Sequence, residues 1–326
     1  MQKNPKTKKQ RKYLLLKIVL IAILVLGAIE ITLRIVGNEY ITKNYVQDIK
    51  GRDIANATVI MAVGESSTVG LWLPYRESYP AQLESRLQKT YLDKNVRIIV
   101  PMFVGQNTDQ VANRIEKHIQ MYHPKIILLM VGYNNEWSLA ESRIGNFVKG
   151  PESAKIKLAV FLSEFRIFRV LRYGYIALRV NKDNLYRQQI EGQKYIWGGP
   201  ELVRTPPPNE VYEFAKAHQP EFVELWDYDM HEIIRVAKEN NVTVIIMTYH
   251  INPTYLNASE FEKMAIAEQV YLVRNDISFR PLIENNTIDD YLLSDHWHPN
   301  AQGYAIIADN AYQMIVENQL LNSSGE

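Results

Sequence analysis

The 326-residue sequence predicts an α/β fold in which a central parallel sheet is covered by helices on both faces. Two observations lead to this prediction. Short apolar runs with strand character alternate with segments of helical periodicity, and several runs are apolar throughout, as expected for strands buried on both faces. Strand–helix units of this size are joined by right-handed crossovers, which place consecutive strands parallel in one sheet.

The individual elements follow from these patterns. Four apolar runs are typical of strands, namely residues 57–63, 96–101, 125–131 and 242–249. Helical periodicity predicts helices over residues 79–91, 222–240, 258–274 and 301–321. A further helix carries Val111, Ile115 and Ile119 on one face.

Residues 137–220 interrupt the alternation and are too long for a simple connection, so we predict an insertion packed near one end of the sheet. Within it, residues 154–182 carry seven basic side chains among aromatic and aliphatic ones, with Glu164 as the only acid. Such a basic amphipathic segment is typical of a contact with the lipid surface or of a clamp on an anionic substrate. The alternative is a helix pair with solvated arginines.

The overall composition narrows the class of protein. With 37 Lys and Arg against 36 Asp and Glu, the chain has no charge excess of the kind expected for a nucleic-acid binder, and no nucleic-acid motif is recognisable. We therefore expect no nucleic acid as a partner. The absence of cysteine excludes thiol catalysis, thiolate metal sites and disulfides.

The N-terminus departs from this even balance. Residues 1–12 contain six basic side chains, an apolar segment follows at 13–36, and no acid precedes Glu30. This asymmetry is typical of an N-terminus retained in the cytoplasm. The uninterrupted part, Ile18 to Ile29, is short for a spanning helix of roughly 20 residues. A pairing of Glu30 with Arg34, one turn apart, would extend it to the required length.

We predict that residues 13–36 are an uncleaved signal anchor, that 37–56 are a connector, and that 57–322 form one domain outside the cytoplasm. The alternative is a cleaved signal peptide with its site near residues 25–27, which also places the rest of the chain outside. A buried helix of a soluble protein is a third alternative. The six basic residues that precede the segment argue against it.

Ligands of such sheets bind beyond the carboxyl ends of the strands, where loops converge. Five segments that follow the predicted strands or precede the last helix are rich in polar residues, namely 64–70 (GESSTVG), 103–108 (FVGQNT), 131–137 (VGYNNEW), 248–253 (TYHINP) and 294–304 (SDHWHPNAQGY). Together they contain the residue types needed for acyl transfer.

The last of these segments offers a general base. Asp295 and His298 are three residues apart, a spacing that lets the carboxylate bond one imidazole nitrogen while the other faces a cleft. Pro299 and Asn300 are typical of the start of a helix. Two alternatives remain: a metal site formed by Asp295, His296 and His298, or a helix cap with incidental histidines.

The other loops offer a nucleophile and donors for an oxyanion. Ser66 directly follows the first strand, and its own backbone N–H could donate. Gly105 has an N–H with no side chain to obstruct a substrate, and Asn134 has a side-chain amide. These three residues follow adjacent strands and could therefore converge.

The segments GESS, the isolated Gly105, GYNN and DHWHPN together resemble the four sequence blocks of the SGNH (GDSL-type) hydrolases, in the same chain order. The resemblance covers roughly residues 57–136 and 240–320. It implies a flavodoxin-like three-layer sandwich with a parallel sheet of about five strands. It implies no cofactor and no metal.

Carried over residue by residue, the resemblance implies Ser66 as nucleophile, His298 as base, Asp295 as the residue that orients it, and the Ser66, Gly105 and Asn134 groups as the oxyanion hole. Two positions depart from the family pattern: Glu65 and Asn135 each stand where Asp is usual. We expect the Glu65 carboxylate to tie the nucleophile loop to its neighbours, and we expect Asn135 to matter less.

Four aromatic residues near these loops are predicted to bind substrate, namely Trp72, Tyr75, Trp137 and Tyr249. Flat rings suit sugars, but core packing is an equal alternative for them. The sequence thus predicts a membrane-anchored extracytoplasmic serine esterase or O-acyltransferase, acting on an acyl ester, most simply O-acetyl, of an envelope glycan or lipid. The alternatives are a non-catalytic binding or assembly protein with the same fold and a metal-dependent hydrolase.

Overall fold

The computed structural model describes residues 5–45, 54, 56–101, 105–136, 138–171, 217–251, 255–294 and 297–322. In the first of these ranges, side chains are described at position 10 and from 12 to 37.

The core of the molecule is a five-stranded sheet in which every pairing is parallel. Its strands are β1 (Thr58–Gly64), β2 (Val96–Ile99), β3 (Ile126–Met130), β4 (Thr243–Met247) and β5 (Tyr271–Val273). Their order is β2-β1-β3-β4-β5, so the chain reverses direction across the sheet after β2. This arrangement confirms the predicted flavodoxin-like parallel sheet.

Helices connect and cover the strands. The first helix of the chain is α1 (Pro5–Tyr45), which precedes the domain. The helices of the domain are α2 (Ser66–Val69), α3 (Tyr79–Thr90), α4 (Thr108–Tyr122), α5 (Ile144–Phe147), α6 (Glu152–Ser163), α7 (Gln219–Glu239), α8 (Ala258–Glu268), α9 (Asn275–Glu284) and α10 (Ala301–Glu317). Helix α3 packs against α10, and α4 packs against α7. Strands β1, β3 and β4 are almost entirely buried, which explains why their sequences are apolar throughout.

Two predicted boundaries are wrong. The helix expected over residues 258–274 ends at Glu268, because Gln269 takes a left-handed conformation, and the following residues form β5. A three-residue strand is too short to show its own periodicity. The last helix ends at Glu317 instead of residue 321, although Leu320 and Leu321 continue to pack on the core.

Helix α1 carries an apolar span of 26 residues, Lys12–Gly37, of which none is buried in the protein. The predicted pairing within it is confirmed: Arg34 Nε lies 2.7 Å from Glu30 Oε1. The helix continues to Tyr45, into the segment that the sequence predicts as a connector. No break in the backbone therefore separates the apolar span from the residues that follow it.

The insertion is helical where it is described. It contains α5 and α6, and residues 166–171 form a further helical segment after a turn at 164–165. Residues 172–216 lie outside the described residues. The basic segment predicted at 154–182 is thus described up to residue 171.

Candidate active site

The structure brings a hydroxyl and an imidazole together at the carboxyl edge of the sheet. Ser66 Oγ lies 2.8 Å from His298 Nε2, although the two residues are 232 positions apart in the chain. Ser66 is the first residue of α2, directly beyond the end of β1. His298 lies in the segment that leads into α10. This distance is within the range of a hydrogen bond that can transfer a proton.

The backbone on either side holds His298 in place. Its carbonyl accepts a hydrogen bond of 2.8 Å from the Leu293 N–H, and Pro299 forms a β-bridge with Leu292. Asn300 then caps α10 by accepting from the N–H groups of its first turn, which confirms the predicted helix start. With only 2% of its surface exposed, the imidazole can reach few positions other than the one beside Ser66.

Glu65 joins the nucleophile loop to the loop after β3. Its Oε1 accepts from the Gly132 N–H at 2.9 Å and from the Asn134 N–H at 3.3 Å, and its Oε2 accepts from the Tyr249 hydroxyl at 3.0 Å. These contacts confirm that the carboxylate ties the loop to its neighbours. Burial raises the pKa of Glu65 to about 7, despite the three donors.

Gly132 is the residue that lets this loop approach Glu65. Its φ of 130° belongs to a region that favours glycine, and a Cβ there would lie 2.7 Å from Cδ1 of Trp226. Its carbonyl also accepts a hydrogen bond from the Tyr255 hydroxyl. The backbone that presents Asn134 is therefore held on both sides.

Asn134 offers an unused donor. Its side-chain Nδ2 is buried and has no hydrogen-bond acceptor among the described residues. A buried amide without a partner is costly. Asn134 is joined to the residue before Ser66 through its own backbone N–H, which donates to Glu65. The Ser66 N–H is a second donor, because it lies in the first turn of α2, where a helix has no internal acceptor for it.

Gly105 follows β2, the neighbour of β1 in the sheet. Its φ is 77°, and no atom of the described residues lies within 4 Å of the place where a Cβ would be. The space around this residue is thus open, as an unobstructed backbone donor requires. The proposed oxyanion groups at Ser66, Gly105 and Asn134 follow three adjacent strands, β1, β2 and β3.

Asn135 plays a larger structural part than the sequence predicts. It is fully buried, its Oδ1 accepts from the Thr108 N–H at 2.8 Å, and its Nδ2 donates to Thr108 Oγ1 at 2.9 Å. The Thr108 hydroxyl in turn donates to Asp229 of α7. The expectation that Asn135 matters less concerns activity and stays a prediction. In the structure Asn135 links its loop to α4 and, through the Thr108 hydroxyl, to α7.

Three residues named by the sequence lie outside the described residues: Asp295, the predicted partner of His298, His296 of the alternative metal site, and the aromatic Trp137. Their predicted roles stay predictions. In the part of the chain that the structure describes, no group of three or more His, Cys, Asp or Glu side chains is arranged to hold a metal ion.

The remaining predicted aromatic residues occupy different positions. Trp72 packs edge-on against His298, with ring centroids 5.1 Å apart, and 39% of its surface is exposed. Tyr75 lies in a 3₁₀ turn, and its hydroxyl donates to the Ile98 carbonyl at 3.5 Å. The prediction that Tyr249 binds substrate is wrong. Tyr249 is fully buried and its hydroxyl binds Glu65, so the side chain belongs to the core rather than to a substrate surface.

Two aromatic residues near His298 are not among those predicted. Tyr133 and Trp297 stack with ring centroids 4.4 Å apart, and both are partly exposed. The Trp297 carbonyl also accepts from His250 Nε2 at 2.6 Å. A signal for both was available, because Tyr133 and Trp297 are immediate sequence neighbours of Asn134 and His298.

The fold and the site together define a class: a doubly wound α/β protein with a serine–histidine pair at the carboxyl edge of its sheet. Neither a protein-family model nor a curated protein sequence matches the chain.

Solved structures that are similar to this chain include several esterases. An acetylxylan esterase from Geobacillus stearothermophilus is 13% identical, with a TM-score of 0.48, over 81% of this chain and 96% of that one. A psychrotrophic esterase from Pseudoalteromonas sp. is 13% identical, with a TM-score of 0.46, over 81% and 100%. A lipolytic protein assigned to the G-D-S-L family, from Desulfitobacterium hafniense, is 11% identical, with a TM-score of 0.41, over 79% and 99%. At this level of identity these are similarities of fold.

Proposed function

We propose that this protein is a serine ester hydrolase or O-acyltransferase. The observation that carries the proposal is the 2.8 Å separation of Ser66 Oγ and His298 Nε2. It is supported by Asn134 Nδ2, which is buried without an acceptor in the part of the chain that the structure describes. A nucleophile, a base and an oxyanion donor are the three components that acyl transfer needs, and here they share one edge of the sheet.

The geometry suggests the order of events. His298 Nε2 takes the Ser66 proton as Oγ attacks the ester carbonyl, and the negative charge on the carbonyl oxygen is stabilised by the Ser66 and Gly105 N–H groups and by Asn134 Nδ2. His298 returns the proton to the departing alcohol, which leaves an acyl group on Ser66. Water or an acceptor hydroxyl then attacks this acyl-enzyme, with His298 again as base. Asp295 would orient the imidazole from the Nδ1 side.

The acyl ester is proposed to be that of an envelope glycan or lipid, most simply an O-acetyl group. Two features support this class. The Trp72 ring packs against His298, and the rings of Tyr133 and Trp297, which neighbour Asn134 and His298 in the chain, contact each other. Flat aromatic faces suit sugar rings. The apolar span of α1 also has the length to hold the chain at a membrane, with the basic residues 1–12 on the cytoplasmic side and the domain outside.

The nucleophile is tested by fluorophosphonate labelling followed by peptide mapping, together with hydrolysis of a chromogenic acetyl ester. Ser66→Ala is expected to abolish labelling and to lower kcat/KM by on the order of 10⁴-fold or more, since loss of a serine nucleophile removes the covalent route. Ser67→Ala is the matched control, because it removes the neighbouring buried hydroxyl. It is expected to keep the label.

Two outcomes would overturn the assignment. Hydrolysis by Ser66→Ala at the wild-type rate would show that the activity does not depend on this nucleophile. A wild-type protein that neither takes the label nor cleaves any acetyl ester would favour the non-catalytic binding protein instead.

A further inference from the structure

Glu30 is an unusual residue in an apolar helix. It lies inside the span Lys12–Gly37, seven residues before its end, which corresponds to about 10 Å along a helix. An ionisable side chain at such a depth is costly in lipid and normally has a dedicated partner.

The partners of Glu30 come from the insertion as well as from α1. Its carboxylate accepts from Arg34 Nε at 2.7 Å and, on the other side, from the backbone N–H groups of Arg166 and Ile167 at 3.0 Å each. Arg34 also donates to the Glu164 carbonyl at 2.9 Å. The turn at 164–167 is thus docked on the last third of the apolar span.

This docking places two helical segments joined by a turn, residues 152–171 and called the hairpin below, at the level of that part of the span. Apolar side chains are exposed along α6 and the turn that follows it: Leu158 and Phe161 lie three residues apart in α6, Phe165 lies in the turn, and 56%, 58% and 40% of their surfaces are exposed. The rings of Phe161 and Phe165 are in contact, with centroids 5.4 Å apart. Val170 and Leu171 extend the exposed apolar surface.

We propose that the hairpin 152–171 is a second membrane element that lies in the outer leaflet beside α1, with the Leu158–Phe161–Phe165 face among the lipid acyl chains. The occupant of this face is lipid because its exposed apolar side chains belong to a segment that is joined through Glu30 to α1, whose own large apolar side chains are exposed. Lys155 and Lys157, exposed near the start of α6, are long enough to reach the phosphate layer. The inference rests on the membrane anchoring in the proposed function.

The hairpin also connects the membrane to the active site. Its Glu164 carboxylate accepts from the Glu141 N–H, and the Ser138 N–H in the same loop donates to the Asn134 carbonyl at 2.8 Å. Asn134 is seven residues from Glu141, so it lies at most about 25 Å from that contact. A hairpin seated in lipid therefore holds the Ser66–His298 pair near the membrane surface, where a membrane-borne acyl ester would be presented.

The test uses single-cysteine variants of the full chain, which has no cysteine of its own. Phe161→Cys and, as a second position, Leu158→Cys are labelled with an environment-sensitive fluorophore and reconstituted in nanodiscs with and without doxyl-labelled lipids. Leu24→Cys in α1 reports on the anchor. Leu92→Cys is the control, because Leu92 is an apolar residue with 88% of its surface exposed on the loop after α3.

Doxyl lipids are expected to quench the labels at positions 24, 158 and 161 several-fold more than the label at 92. Quenching at 24 with no more quenching at 158 and 161 than at 92 would overturn the inference and leave the anchor intact. A blue-shifted label at 161 without lipid quenching would overturn it too, because protein would then cover the face. No quenching at 24 would remove the anchor and the inference together. None of these readouts depends on ester hydrolysis, so the catalytic proposal stands or falls separately.

Discussion

Adjacent asparagines in the loop after β3 have different environments. Asn134 Nδ2 is buried and has no acceptor among the described residues, whereas both ends of the Asn135 amide bind Thr108. In the proposed mechanism the first residue supplies a donor to the substrate, whereas the second stabilises the loop. A substitution at each should separate the two functions.

Asn134→Ala is expected to lower kcat by roughly 10²- to 10³-fold with little change in KM, because it removes a donor to an oxyanion that exists only in the transition state. The free energy of unfolding should stay close to that of the wild type, since no hydrogen bond of the described residues is lost. Asn135→Ala is the matched control and should lose stability. Steady-state kinetics on an acetyl ester and urea unfolding measure the two effects. An Asn134→Ala protein with wild-type kcat would contradict the role.

Glu65 is a second residue whose environment makes a measurable prediction. Burial raises its pKa from 4.5 to about 7, so the folded protein binds this proton more tightly than the unfolded chain does. Its contribution to stability is therefore fully present below pH 4.5 and is lost as the pH rises through 7. The shift corresponds to roughly 3 kcal/mol.

Glu65→Gln should reduce the loss of stability between pH 5 and pH 8. The loss should not vanish, because burial also raises the pKa of Asp229, to about 8, and acts in the same direction. The measurement is the free energy of unfolding at both pH values. Glu77→Gln, in the 3₁₀ turn at residues 75–77, is the control for the substitution of a glutamate outside the site. An unchanged loss of stability in Glu65→Gln would show that the carboxyl does not titrate in this range.

At the scale of elements, a buried polar network joins the loop after β3 to α4 and α7. Thr108 at the start of α4 binds Asn135 and donates to Asp229 of α7. Arg143, which precedes α5, donates to Asp229 at 2.6 Å and forms an ion pair with Asp109 of α4. Because the network is buried and its members share partners, losing one member leaves others unpaired.

Thr108→Val keeps the shape of the side chain but removes its hydroxyl. It should lower the free energy of unfolding by about 1–3 kcal/mol, the usual cost of leaving buried polar groups unpaired. Thr90→Val is the matched control, since the Thr90 hydroxyl makes its hydrogen bonds at the protein surface. Equal stabilities for the two variants would show that the buried network contributes little.

At the scale of the whole molecule, α1 sets the protein apart from a free-standing α/β domain. Its 26-residue span is long enough to cross the hydrocarbon layer, and most of its large apolar side chains are exposed, although Glu30 and Arg34 contact the insertion. Burial of these side chains in lipid would make membrane attachment hydrophobic rather than electrostatic.

The full chain is therefore expected to stay with the membrane fraction after washing with high salt and with alkaline carbonate. Its N-terminal peptide should still contain residues that precede Lys12, because the segment is predicted to remain uncleaved. Immunoblotting of the fractions and mass spectrometry of the purified protein measure the two results. Release by carbonate, or a mature N-terminus near Ala28, would contradict the anchor.

Features that depend on local sequence signals could be predicted from the sequence, whereas features that depend on contacts between distant residues could not. Strands β1, β3 and β4 were predictable because burial on both faces makes them apolar throughout, and the start of α10 because Pro299 and Asn300 are local signals. Strand β5 and the core position of Tyr249 were not. Three residues carry no periodicity, and a tyrosine near a loop looks the same whether its hydroxyl faces a ligand or a buried carboxylate.

By itself the sequence determined the parallel sheet, the apolar N-terminal span and the residue types placed at each strand end, because these depend on local pattern and composition. Only the tertiary structure decided that Ser66 and His298 lie 2.8 Å apart, that Asn134 Nδ2 has no acceptor among the residues described, and that Glu30 binds the turn of the hairpin. Which residues meet, and which atoms stay without a partner, depends on how distant segments of the chain pack against each other. No local sequence pattern carries that information.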